Sequence, residues 1–277
     1  MSEPATDSVT VAFADADSEL FGIARLGLTA SGGGSALALL FSGRAPVAAI
    51  AKGGLEVPDG ASLDEDLSLG GLRMKHAGDG SWTASLHTGE GQGFELAFGA
   101  LAGAAEVEEL GGMRGTEQPC HVRGTVMADG QEVAFDGLGQ RSRSWGDPDW
   151  KRIELARTVA AWTGESSAAL ATVRPAGAAH HSDERSWAAV WEDGGLLPIE
   201  DGRLSTTYDA EGHTRRAGME LWPHGDEVWP RRAAGEVLCG SSLDLGALQL
   251  DCAFFRWHLE GRAGVGRYDI LRRVAAA

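Results

Sequence analysis

The sequence predicts an all-β, antiparallel protein, and three observations carry that reading. Runs of alternating apolar residues recur at roughly ten-residue intervals, the spacing of sandwiches and barrels. Turn signals separate them: the chain has 40 glycines in 277 residues, about twice the roughly 7% of an average protein, dispersed and often beside Asp or Ser. In the first half no long helical periodicity is convincing, and Ala102–Leu110 suggests a short helix.

The elements follow in order. Residues 1–8 read as a loose tail. Val9, Val11 and Phe13 share one face of a first strand, and Leu20–Leu28 gives a second. Ser31-Gly32-Gly33-Gly34-Ser35 lacks the Lys-Ser/Thr of a phosphate loop and precedes no helix, so it reads as a hairpin. Ala36–Phe41 and Pro46–Ala51 continue the pattern. Asp66–Lys75 carries Leu67, Leu69, Leu72 and Met74 before a turn at Asp79-Gly80. Trp82, Ala84 and Leu86 then alternate against Thr83, Ser85 and His87, and Phe94–Leu101 follows. In the second half, Ile153, Leu155, Val159 and Trp162 fit either strand or helix, with strand favoured by context, and Ala168–Val173 and Ser186–Glu192 read as strands, the last with Trp187, Ala189 and Trp191 on one face. Asp209–Gly212 turns the chain between two short strands, and Met219–His224 and Val228–Pro230 add aromatic mass. Leu248–Leu259 is apolar on both faces and reads as a central strand; Val265–Leu271 closes the series.

Composition limits the partners. With Lys plus Arg 24 and Asp plus Glu 40, the net charge is −16, which argues against nucleic acid and anionic membrane surfaces. Cys120, Cys239 and Cys252 show no pair spacing and suit buried thiols in a reducing compartment. Residues 1–17 lack the basic-then-apolar pattern of a secretory leader, and no run approaches the roughly 18 apolar residues of a span. The expectation is a soluble, cytoplasmic protein without stable membrane insertion, its oligomeric state open. Adjacent histidines His180 and His181 before Asp183-Glu184 invite a metal reading, but neighbours on an extended chain point apart, so a solvated loop is expected and no metal.

The densest polar and aromatic cluster with strand periodicity runs from Glu117 to Trp150. Asp129-Gly130 is a two-residue hairpin signal. Beyond it, an extended chain places Arg141, Arg143 and Trp145 on one face and Gln140, Ser142 and Ser144 on the other. On an outer face such a stripe is solvated; on an inner face it needs carboxylates, an aromatic partner or a polar ligand.

The segments Glu117-Gln118-Pro119, Arg123-Gly124-Thr125 and Gly137–Trp150 resemble the signature of the carotenoid 1,2-hydratase-like superfamily, which includes hydroxyneurosporene synthase and kievitone hydratase. The family pattern is Gly-x-Arg-Asp-His-Ser-Trp-Gly-x-Arg-x-Trp. The resemblance implies two lipocalin-like β-barrels in tandem, residues 1–150 and 151–277, and acid-type chemistry on a carbon–carbon double bond of an isoprenoid or prenylated substrate. This chain departs from the pattern where Ser142-Arg143 replaces Asp-His and Pro148 replaces the second arginine. Arginine stays protonated and is a poor general acid, so Arg143 is expected to orient a carboxylate or bind an anionic part of a ligand.

These readings name the candidate residues. Acid chemistry on an alkene needs a carboxylic acid raised in pKa by apolar surroundings; Asp147, Asp149 and Asp269, with Tyr268 beside the last, are the catalytic candidates, and Asp251 is considered with them. Arg141, Arg143, Trp145, Trp150, Trp257 and His258 are the ligand-binding candidates. No nucleotide fingerprint, zinc spacing or Ser-His-Asp order is convincing, so no cofactor is expected. Two functions follow: a cofactor-independent enzyme that cyclises, isomerises or hydrates a terpenoid or other polyene, or a lipocalin-like carrier of a hydrophobic ligand.

Overall fold

The computed structural model describes residues 6–77, 81–180, 183–225 and 229–274. The expected Asp79-Gly80 turn, His181 and Val228 lie outside them, as do the first residues of the expected tail. Among the described residues the chain is all-β with no α-helix, forming two antiparallel, lipocalin-like barrels in tandem, one nearly closed and one closed.

The first unit comprises the chain to Glu106 with Met113–Pro148, and the second Val107–Gly112 with the chain from Asp149. In the first unit the strands are β1 (Thr6–Asp15), β2 (Leu20–Thr29), β3 (Gly33–Ser42), β4 (Ala45–Glu56), β5 (Asp66–Leu69), β6 (Leu72–His76), β7 (Trp82–His87), β8 (Gly93–Ala100), β10 (Met113–Ala128) and β11 (Gln131–Gly146). They run in the order β4-β3-β2-β1-β11-β10-β8-β7-β6-β5. Strand β9 (Ala105–Leu110), off that path, occupies most of the segment expected to be a short helix. Its residues alternate Ala105, Val107 and Glu109 against Glu106, Glu108 and Leu110, and ladder pairing overrides the helix propensity of Ala, Glu and Leu.

β10 and β11 form one hairpin through Asp129-Gly130. Both turn residues have positive φ, 53° and 74°, as a type I′ turn requires. The inner faces of these strands bury Val9, Val11, Phe13, Trp82, Phe94, Phe98, Cys120, Val122 and Phe135 in one core. Phe13 stands edge-on to Phe94 and Phe135, with centroids 5.1 and 5.3 Å away.

The second unit is a closed barrel of β12 (Ile153–Trp162), β13 (Ser166–Pro175), β14 (Arg185–Glu192), β15 (Gly195–Tyr208), β16 (Thr214–Pro223), β17 (Arg231–Asp244), β18 (Leu248–Leu259) and β19 (Arg262–Arg273). Its interior holds Val159, Leu170, Val190, Met219, Leu221, Phe255, Trp257 and Tyr268 among small residues. Gly235 is required here: a Cβ would lie 2.6 Å from the Trp257 ring, so the indole occupies the space a side chain would need. No described helix is long and apolar enough to cross a membrane.

Candidate functional site

Ladder register decides which polar side chains enter each barrel. In the first unit, Arg141 pairs with Val11, Arg143 with Val9 and Trp145 with Asp7. Directly opposed residues of antiparallel strands share a face, and Val9 and Val11 belong to the core. Arg141 and Arg143 therefore point to the inner side, and both are half-buried.

Arg143 meets two carboxylates. Its Nε and Nη2 bond the two oxygens of Asp7 at 3.2 and 2.8 Å, and Nη1 pairs with Asp64 from the connection between β4 and β5. The Asp7 hydrogen bond raises its pKa further above the ordinary arginine value, with Asp64 adding to the effect and burial opposing it. Arg141 has neutral company instead. Its Nη2 donates to Gln118 Oε1 at 2.9 Å, and its guanidinium lies over the Trp82 ring at 5.1 Å. Gln118 is oriented by its own amide, which donates to Ala102 O at 3.0 Å. Burial pulls the Arg141 pKa below its ordinary value, and burial pushes the neighbouring Cys120 thiol up to about 11.

The second barrel encloses a different cluster. Val159 stands opposite both Leu170 and Tyr268, and Arg157 opposite Thr172 and Ile270, so Arg157, Thr172 and Tyr268 all face inward. Arg157 Nε donates to Thr172 Oγ1 at 3.0 Å, and its Nη2 pairs with Glu184. These two charged side chains are only 4% and 10% exposed. A buried pair in such geometry is retained at the expense of desolvating both ions. The Tyr268 hydroxyl lies 2.7 Å from Thr206 Oγ1. Burial raises its pKa to about 12, while Arg157 and the Thr206 bond pull the other way. On the same face, Asp251 accepts from Ser242 Oγ at 2.6 Å and Gln249 Nε2 at 2.7 Å, and pairs with Arg272. Burial alone would raise the Asp251 pKa; the three donors together hold it below the ordinary value.

The model of a domain family of unknown function (DUF7064) matches residues 2–274. The chain belongs to that family. No curated protein matches it in sequence. Its fold is similar to that of solved structures: a protein designated AttH from Nitrosomonas europaea, with TM-score 0.72 and 14% identity over 99% of this chain and 93% of that one; CghA with Sch210972, with 0.67 and 12% over 99% and 90%; and kievitone hydratase from Nectria haematococca, with 0.66 and 12% over 99% and 90%. This DUF7064 protein thus shares its fold with these three structures.

Measured against the sequence expectations, the candidate residues of this DUF7064 protein divide among several places. Arg141 and Arg143 come together as expected. Trp145 shares their face but extends to the rim, 39% exposed. Trp150 is half-buried in the turn after β11. Asp147 and Asp149 are exposed, without the apolar surroundings that would make them acids; the Asp149 carboxylate instead accepts from the Lys151 N–H at 3.0 Å and closes the turn. Tyr268 and Asp269 are separated by the pleat. Tyr268 enters the barrel, whereas Asp269 pairs with Cys252 in register on the opposite face, where Arg267 Nη1 bonds it at 3.0 Å. The Asp269 expectation of an acid beside Tyr268 is corrected accordingly. Trp257 and His258 divide the same way. Trp257 is buried inside, stacked on Phe255 at 5.4 Å, and exposed His258 faces outward over Gly218 and Ala234.

Sequence reading missed Trp82, Arg157, Glu184, Thr172 and Thr206. Arg157 had a signal, since it alternates with Leu155 and Val159 on one face of β12. Glu184 had none, because its partner is 27 residues away in the chain.

Proposed function

We propose that this chain is a cofactor-independent enzyme of hydratase or cyclase type that acts on a conjugated double bond of a largely apolar, isoprenoid-like or polyene substrate, with Tyr268 as the proton donor. The observation that carries this reading is the buried Tyr268 hydroxyl, held by Thr206 and flanked by Arg157 inside an apolar barrel. A phenol near 12 is too weak an acid to protonate an isolated alkene. It is matched to a carbonyl-activated double bond, where it donates to the oxygen or to the enolate carbon. Arg157, positioned by Thr172 and Glu184, stabilises the negative charge that develops on that oxygen. Hydration adds water across the bond; cyclisation closes the same activated system on a second double bond, with no net change in atoms. The Trp257 indole N–H supports a ligand in this interior. It is buried and finds no acceptor among the described residues, an arrangement that costs about 1–3 kcal/mol unless a ligand or water satisfies it. Likeness of fold to kievitone hydratase and to CghA with Sch210972 supports the reaction class.

Mass spectrometry of material that co-purifies with the protein identifies ligand candidates. Incubation of a panel of prenylated and polyene enones in isotopically labelled water then distinguishes hydration from isomeric cyclisation. Tyr268→Phe is expected to lose turnover by about a hundredfold or more while keeping substrate binding. Turnover that survives in Tyr268→Phe removes Tyr268 from the chemistry. A chain that binds these ligands and turns none over is a carrier.

A further inference from the structure

The two inward arginines of the first unit are not equivalent. Arg143 is matched by Asp7 and Asp64. Arg141, its neighbour on the same face, forms an ion pair with no carboxylate among the described residues; its partners are the Gln118 amide oxygen and the Trp82 ring. Asp64 acts on it only through space, since its oxygen is engaged by Arg143. Glu117 lies on the other face of β10, bonded to Gln140 and Ser142. Cys120 provides no compensating charge, because its thiol, pushed up to about 11, is neutral at pH 7. A guanidinium carries five N–H donors, and Gln118 uses one.

Apolar surface continues from this cation. The ladder row that begins at Arg141 runs across the sheet through Val11, Ala24 and Ala38 to Ile50. Val11, Ala24 and Ala38 belong to the core, and Ile50 at the far end of the row is only partly buried against it. A half-buried cation with unused donors at one end of an apolar row is complementary to an amphiphile with one negative end.

We infer that Arg141 anchors the carboxylate of an otherwise apolar acid held on the inner face of the first unit. A planar monoanion matches the guanidinium fork in two parallel hydrogen bonds. A dianion suits the place less well, with Asp7 and Asp64 close by and a net chain charge of −16. Gln118, fixed through Ala102 O, presents its oxygen to Arg141 and holds the guanidinium in place without neutralising it.

The test compares parinaric acid, a fluorescent conjugated polyene acid, with its methyl ester. Wild-type protein is expected to bind the acid at least about tenfold more tightly, the effect of one charge-assisted hydrogen-bonded contact. Arg141→Met is expected to remove that preference and leave ester affinity unchanged; Arg141→Lys is expected to keep part of it. Equal binding of acid and ester by the wild type overturns the anchor, as does a preference that persists in Arg141→Met. If neither probe binds, the site itself is disproved. The wild-type comparison stands even if Arg141→Met does not fold, and it is independent of turnover at Tyr268.

Discussion

The two barrels bury arginines in opposite ways. In the second, Arg157 is almost wholly enclosed and meets a carboxylate enclosed with it. In the first, Arg143 meets two carboxylates that remain partly in water, with Asp64 61% exposed, and Arg141 meets none among the described residues. Closure explains the difference. Eight strands closed on themselves wall the interior of the second barrel off from bulk water and leave room for side chains and at most one small ligand, so a charge placed there must bring its counter-ion inside. The first sheet is not closed by hydrogen bonds, and β4 and β5 form the two ends of its strand order. Its inner polar groups stay near solvent, and a cation is tolerated there without a fixed partner. A closed barrel therefore fixes its polar cluster, whereas an open one can leave a charge for a ligand to complete.

The strongest way to break this contrast is to remove one member of each pair. Glu184→Ala strands a buried guanidinium and is expected to destabilise the second unit by about 3–5 kcal/mol, read as a lower denaturation midpoint in urea. Asp64→Ala removes a largely exposed partner while Asp7 still holds Arg143, and is expected to cost about 1 kcal/mol or less. Replacing Arg157 and Glu184 together by Met and Leu should recover most of the loss, because both desolvation costs disappear with both ions. Equal destabilisation by Glu184→Ala and Asp64→Ala would show that closure does not set the energetics.

A pH titration sharpens the same point. The folded pKa of Tyr268, about 12, lies above the unfolded value near 10. A group raised in this way contributes its full stabilisation below the unfolded pKa and loses it as the pH rises through the folded one. The second unit should therefore lose about 2–3 kcal/mol between pH 10 and 12. The ultraviolet tyrosinate signal should show a step near 12 that is absent in Tyr268→Phe. A Tyr268 that titrates near 10 would mean the barrel interior is wetter than the packing around Phe255 and Ile270 implies.

How much of this was legible in the sequence depends on the range of the interaction. The Asp129-Gly130 hairpin and the shared face of Arg141, Arg143 and Trp145 were readable, because turn chemistry and the two-residue period act over a few positions. Of β15 only the end before Asp209 was read as a strand, and β17 was not read at all. Gly195–Tyr208 carries Pro, Gly and acidic residues, and Arg231–Asp244 opens on two arginines and carries three small residues before Glu236; neither has clean alternation, and the pairing of neighbouring strands holds them extended. Adjacent residues were also grouped by nearness in sequence where the pleat separates them, as with Tyr268 and Asp269 or Trp257 and His258. The inward position of Arg157 was within reach of the period-two rule. Its partner was not, since closure of the barrel brings Glu184 to it.

The smallest expected effects concern the acids that the sequence favoured. Asp147 and Asp149 are exposed carboxylates in the turn after β11, outside the enclosed polar cluster around Tyr268. Asp147→Asn and Asp149→Asn are expected to leave turnover and its pH profile unchanged, since an amide oxygen still accepts the Lys151 N–H that Asp149 now accepts. Asp149→Ala removes that acceptor and is expected to cost about 0.5–1 kcal/mol of stability, the usual range for a local side-chain bond to backbone, again with turnover intact. A loss of turnover in Asp147→Asn at unchanged stability would bring a solvent-exposed carboxylate into the reaction. It would also shift the chemistry away from the enclosed cluster of the second barrel, which is the outcome that the contrast between the two barrels forbids.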